Sequence, residues 1–167
     1  YWTGAQQYQA LTFDFKPDKD ISYLKDNGYV LDFWIKGNTA TSIDLRFVDS
    51  KTSDTDHPWR MRTTVNSSVV NFNNEWQHVR IPLANFVEHG AWDNNTWYSP
   101  QGLFDWTDVD KFEIVAEYGA LSGVQLWFDE IKITQAGSTV VNEILGTPIE
   151  YALLQNYPNP FNPSTIF

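Results

Sequence analysis

The chain has 167 residues, 42% of them hydrophobic and 19% charged, which is enough apolar material for a packed core and too little charge for a disordered chain. Its formal net charge of −10 argues against nucleic acid and anionic membranes as partners and leaves a neutral or cationic partner, or a divalent cation. The absence of cysteine excludes disulfides, thiolate metal sites and a cysteine nucleophile, and no apolar run approaches the roughly 20 residues that span a bilayer.

The chain opens abruptly at YWTGAQQYQ with no signal peptide, and reads as a piece of a larger protein. YQALTFDF (8–15) reads as a strand, and DISYLKDNG (20–28) as one or two helical turns capped by Asp20 and closed by Gly28. YVLDFWIKG (29–37) sets Tyr29, Leu31, Phe33 and Ile35 against Val30, Asp32, Trp34 and Lys36. SIDLRFVD (42–49) puts Ile43, Leu45 and Phe47 on one face and Asp44 and Arg46 on the other. WRMRTTV (59–65), SVVNF (68–72) and WQHVRIPL (76–83) follow as strands, the last opposing Val79 and Ile81 to His78 and Arg80. LANFVEHG (83–90) reads as a second short helix, and FEIVAEY (112–118) and VQLWFDEIKIT (124–134) complete the strands. A period of two, rich in β-branched and aromatic residues and punctuated by turn residues, marks half-buried strands. About eight such strands with little helix predict an all-β protein, an antiparallel β-sandwich of jelly-roll type. The alternation stops after Thr134. Residues 1–134 therefore form the sandwich, 135–150 read as a linker and 151–167 as a separate tail.

Two stretches resemble known families. LLQNYPNPFNPST (153–165) resembles the opening of the C-terminal sorting domains of type IX secretion in the Bacteroidetes. That resemblance implies a secreted or surface-attached bacterial protein continuing past Phe167; a stiff proline-rich linker is the plainer reading. The body, 8–134, resembles the β-sandwich carbohydrate-binding modules attached to bacterial cellulases, such as the family 11 modules. LDFWIKG (31–37), EWQHVRIPLANF (75–86), VDKFEIVAEY (109–118) and LWFDEIKI (126–133) carry the resemblance. It implies a galactose-binding-like jelly roll without catalytic activity, monomeric, attached to a glycosidase domain in the same parent chain. It also implies a structural calcium ion, since Asp129 falls where such sandwiches place a calcium ligand, with Asp14 or Asp18 as its partner.

The residues themselves suit sugar recognition. Pyranose C–H faces stack on Trp and Tyr, and sugar hydroxyls pair with planar donors and acceptors. Aromatics make up 16% of the chain, with eight Trp, more than a core of this size needs. By alternation one polar sheet face would carry Asp32, Trp34, Asp44, Arg46, Arg60, Arg62, His78, Arg80, Glu113 and Glu117. The alternative is an ordinary solvated face with cross-strand ion pairs. EHGAWDNNTWYSPQGLFDW (88–106) reads as a long loop bringing Trp92, Trp97, Tyr98 and Trp106 together, either to stack on ligand or to bury its own aromatics. Trp59 is a further rim candidate. The segment 48–59, with Asp49, Asp54 and Asp56, reads as a cation loop or a flexible acidic one.

Catalysis finds little support. Glu113 and Glu117 on one strand would stand about 13 Å apart at ~3.3 Å per residue, Glu113 and Glu130 could approach across strands, and His57, His78 and His89 lack metal-ligand spacing. The sequence thus predicts a non-catalytic module that binds a plant polysaccharide, β-glucan, xyloglucan or a relative, and holds a secreted hydrolase at it. The alternative is a spacer sandwich that packs on the catalytic domain and binds no sugar.

Overall fold

The computed structural model describes residues 1–137; the reading of 151–167 as a sorting domain, and most of the linker reading, lie outside them. Ten strands are seen among the described residues: β1 (Trp2–Thr3), β2 (Ala10–Lys19), β3 (Tyr29–Gly37), β4 (Ile43–Asp49), β5 (Trp59–Val65), β6 (Gln77–Pro82), β7 (Val87–Asp93), β8 (Thr96–Tyr98), β9 (Val109–Val115) and β10 (Gln125–Gln135). A single helix, α1 (Ser22–Asp26), and one 3-10 turn (Leu83–Asn85) accompany them. The strands form two antiparallel sheets, a four-stranded one in the order β1-β10-β3-β6 and a six-stranded one in the order β2-β9-β4-β5-β7-β8. This is the antiparallel β-sandwich that the alternating pattern predicts.

The core lies between the sheets, built by the residues that the period of two assigns inward. Leu31, Phe33 and Ile35 of β3 face Ile43, Leu45 and Phe47 of β4 and Phe112 and Ile114 of β9, all essentially inaccessible. Phe47 is the hub, with ring centroids 5.1 Å from Phe86, 5.3 Å from Phe112 and 5.7 Å from Trp106.

Three segments differ from expectation, each for a local reason. Residues 68–72 are not a strand: the Asn66 side chain accepts the Ser68 N–H (2.9 Å) and its carbonyl accepts the N–H groups of Val69 and Val70, a turn that outcompetes a ladder. Val70 is nonetheless buried. The helix expected at 83–90 is only the turn Leu83–Asn85, because Phe86 adopts extended backbone to drop its ring into the core and β7 begins directly after it. The loop expected at 88–106 opens with a hairpin. Asn94 and Asn95 at its tip have φ of 48° and 59°, the left-handed pair of a tight hairpin turn, which Asn tolerates better than other side chains.

Candidate functional site

The outer face of the six-stranded sheet carries a cleft of about 940 Å³. Val48 and Val115, both buried, form an apolar floor. Two cross-strand rows run across it: Glu113, Arg46 and Arg62 on β9, β4 and β5, and Lys111, Val48, Arg60 and Gly90 on β9, β4, β5 and β7. At one end the paired residues Trp92 and Trp97 of the hairpin expose 53% and 42% of their surface.

The polar floor is organised around a buried carboxylate. Asp44, fully inaccessible, accepts hydrogen bonds from Arg62 Nη1 (2.9 Å) and the Thr64 hydroxyl (2.8 Å), with Arg46 Nη2 at 3.6 Å. Arg46 also donates to the Glu117 carboxylate. The Thr64 hydroxyl lies 2.9 Å from that of Tyr118, which carries the polar network to the rim. His89 stands between Trp97, 5.2 Å away by ring centroids, and Glu117 Oε1, 4.0 Å from its Nε2. Burial first, then Arg62 and Arg46, outweigh Glu117 and Asp44 and lower its pKa, so the ring is neutral at pH 7. Gly90 has φ of 93°, and a Cβ there would meet the Tyr98 carbonyl and the Trp97 ring; glycine lets that indole lie flush on β7.

Side chains beneath the hairpin hold its aromatics in place. Asp93 Oδ2 takes Lys51 Nζ at 2.5 Å and His57 Nδ1 at 3.1 Å, and the His57 ring stacks on Tyr98 with centroids 3.6 Å apart. Glu88 clamps the segment that follows: its carboxylate accepts the N–H groups of Gln101 (2.6 Å), Gly102 (2.9 Å) and Phe104 (3.0 Å). Asp49, buried at the end of β4, accepts the Asp105 N–H at 2.8 Å.

The structure corrects the single polar face expected from alternation. Asp44, Arg46, Arg60, Arg62, Glu113 and Glu117 share the outer face of the six-stranded sheet, whereas Asp32, Trp34, His78 and Arg80 lie on that of the four-stranded sheet, across the core. There Asp32 binds His78 Nε2 (2.8 Å) and Arg80 Nε (3.1 Å), and the Trp34 and His78 rings stack at 4.8 Å. Trp59 is not at a rim: it points inward at 2% exposure. Trp106 packs on Phe47 and Phe104 rather than standing free. Tyr98 is half-buried and serves the hairpin through His57. Glu113 and Glu130 do not approach each other, being on different sheets. The expected calcium ligands are likewise divided, Asp14 and Asp18 on β2 and Asp129 on β10. Asp18 accepts the Ser50 hydroxyl at 2.7 Å and Asp129 the Glu130 N–H at 2.9 Å, and no group of three His, Asp or Glu side chains suited to a metal occurs among the described residues. Tyr8 and Lys111 line the cleft although they were not singled out in the sequence, and so does His89, which was weighed there only as a metal ligand. Lys111 could have been found by alternation from Glu113, but Tyr8 is aimed by a φ of 69° that leaves no mark in the sequence.

A family model described as carbohydrate binding domain 30 matches residues 2–135. No curated protein matches the chain. Among solved structures, a family 30 carbohydrate-binding module is 21% identical with a TM-score of 0.57, covering 80% of this chain and 72% of its own. A second family 30 module, from a cellulosomal cellulase of Clostridium thermocellum, is 24% identical with a TM-score of 0.54, covering 79% of this chain and 72% of its own. A family 11 module of Clostridium thermocellum, in complex with a β-1,3-1,4-mixed-linked tetrasaccharide, is 17% identical with a TM-score of 0.55, covering 80% and 72%. The family 11 modules that the strand motifs resemble thus share the fold, while the matching family model is that of family 30. With its sandwich fold, the chain belongs to the carbohydrate binding domain 30 family, whose members are non-catalytic modules.

Proposed function

We propose that the cleft of the six-stranded sheet binds a plant β-glucan-type polysaccharide and so holds an attached, secreted glycoside hydrolase at its substrate. The observation that carries this reading is the pair Trp92 and Trp97, exposed beside the hydrogen-bonding side chains of Arg46, Glu113 and Glu117. Pyranose rings stack on the indoles while their hydroxyls take the charged groups, the combination that sugar sites need. The family 11 neighbour holding a mixed-linked glucan tetrasaccharide supports the choice of ligand class. Tethering raises the local concentration of enzyme at the polysaccharide without changing its chemistry. Affinity per site falls in the range of roughly micromolar to millimolar, because sugar hydroxyls must be desolvated. The type IX resemblance of 153–165 supports secretion.

Affinity electrophoresis in gels holding mixed-linkage β-glucan, xyloglucan, xylan or mannan tests the reading. Retardation by a glucan that Trp92→Ala and Trp97→Ala each weaken about tenfold, equivalent to ~1.4 kcal/mol, is the expected result. Retardation equal in wild type and both variants would move the site elsewhere.

A second reading, the spacer, draws on the four-stranded sheet, whose outer face exposes Trp34 and Trp76 and stacks Tyr1 on Trp127 at 5.6 Å. It predicts no retardation in any gel, and loss of contact with a catalytic domain on Trp34→Ala.

A further inference from the structure

The charges gathered at the cleft balance. Glu117 and Asp44 meet Arg46 and Arg62, Asp110 meets Lys111, and Glu113 acts on Arg60 within the same cleft. Such a surface suits a neutral ligand, whose hydroxyl groups donate and accept at once. One pair of side chains in it faces without bonding. His89 Nε2 and Glu117 Oε1 stand 4.0 Å apart, too far for a hydrogen bond. Neither atom has a hydrogen bond among the described residues, and the two side chains remain 27% and 20% exposed while lining the cleft. Both are held in place. The other Glu117 oxygen takes Arg46, which lies against Asp44 in turn, and the His89 ring packs beside that of Trp97. A donor and an acceptor fixed at this spacing are bridged by one oxygen about 2.8 Å from each, the length of an ordinary hydrogen bond.

We propose, resting on the polysaccharide-binding reading above, that His89 and Glu117 form a notch for a single sugar hydroxyl, which accepts the Nε2–H of His89 and donates to Oε1 of Glu117, and that the notch receives it only while His89 is neutral. The carboxylate beside Nε2 favours the tautomer with its hydrogen there. A hydroxyl serves both atoms, whereas an ether oxygen only accepts and leaves Glu117 Oε1 bare. Protonation puts a full charge on the ring 4.0 Å from a carboxylate, and the two draw together as an ion pair over the space that the hydroxyl fills. Burial, then Arg62 on β5 and Arg46 on β4, disfavour that charge more than Glu117 and Asp44 favour it, which keeps the free ring below the ordinary 6.5. Arg60, Lys111 and Glu113 complete the charges of the cleft. A bound sugar removes water from the ring and disfavours the charged form further. By linkage, a ligand that needs neutral His89 lowers the pKa of that ring, and acid weakens its binding to match.

NMR titration of the histidine rings in the full chain, with and without saturating cellotetraose, tests this, and His89→Phe identifies the His89 signal. Calorimetry then compares cellotetraose affinity at about pH 7.5 and at about one pH unit below the His89 pKa so measured, for wild type, His89→Phe and Trp92→Ala. We expect cellotetraose to lower the His89 pKa by about one pH unit, and the wild type to lose about fivefold in affinity between the two conditions. His89→Phe, which keeps a ring against Trp97 but has no donor, binds about tenfold more weakly at the higher pH and shows no such loss. Trp92→Ala weakens binding in both conditions and keeps the loss. A His89 pKa that cellotetraose does not move, or a loss that His89→Phe reproduces, overturns the proposal while binding at the higher pH still upholds the cleft. Absence of cellotetraose binding to the wild type in both conditions overturns both. Should His89→Phe fail to fold, the wild-type titration decides the matter, because His57 and His78 do not line the cleft and a ring that the ligand shifts is then His89.

Discussion

Asp49 is a buried carboxylate with one oxygen bonded to the Asp105 N–H and the other, Oδ1, without a well-formed hydrogen bond among the described residues. Burial above all raises its pKa to about 7, and the charges of Asp56 and Asp105 add to the rise; N–H groups of Asp105 and Trp59 oppose it. Between the ordinary value of 3.8 and about 7 the folded chain holds a proton here that the unfolded chain has released. Asp49 therefore costs stability increasingly as pH rises through that window and by a constant amount above it. Asn accepts the Asp105 N–H without a charge to bury. Asp49→Asn should thus raise the melting temperature at pH 8 by a few degrees and by progressively less towards pH 4, measured as the difference between paired melts. Parallel melting curves across that range would contradict the assignment. Nothing in the sequence singles out this residue: Asp49 reads as one acidic residue among several in 48–59, because its burial depends on the 101–108 segment folding over it.

Among the elements, the β7–β8 hairpin and the segment after it matter most. Glu88 is half-buried, which raises its pKa, but the N–H groups of Phe104, Gln101, Gly102 and Leu103 outweigh burial and the net shift is downward. Its stabilisation is present above the unfolded-state value of 4.5 and is lost as pH falls through the lower folded value. Glu88→Ala leaves these donors without their acceptor and should reduce unfolding free energy by about 1–3 kcal/mol at pH 7, less at pH 3, as read by urea denaturation. The hairpin itself was legible in part. Aromatics crowd residues 92–98 and Asn94-Asn95 is a turn signal, but β8 is only three residues long, and β7, VEHGAWD, mixes apolar and polar residues on both faces, so neither shows an alternation to recognise. β3, β4 and β5 were legible in full because each runs at least seven residues with one face apolar.

At the scale of the whole molecule, alternation tells which residues of a strand point away from the core but not which sheet the strand joins. Asp32 and Asp44 are therefore indistinguishable in the sequence, both polar between apolar neighbours, yet they lie on opposite outer faces. The order of strands in space, set by long-range pairing such as β4 with β9, divides them. The same core that separates the faces depends on Phe47, 1% exposed and in ring contact with Phe86, Trp106 and Phe112. Phe47→Ala should cost about 3–5 kcal/mol. That is a large share of the roughly 5–15 kcal/mol that holds a domain together. Equilibrium unfolding in guanidinium would show it as a lowered midpoint.

The hairpin that carries Trp92 and Trp97 closes one edge of its sheet: β8 pairs with β7 alone, and the tip is a two-residue turn. Its anchors, Lys51 and His57, grip it from outside the core. Such a segment behaves as a cassette. Insertions, shortened tips or a different set of aromatics can be exchanged there while the sandwich folds as before, so sugar preference can diverge faster than architecture. For an engineer, the hairpin tip, 92–97, is the natural place to graft a new preference, and the register of β7 against β5, together with the Glu88 clamp and the packing of Phe104 and Trp106, is the boundary such a graft must respect.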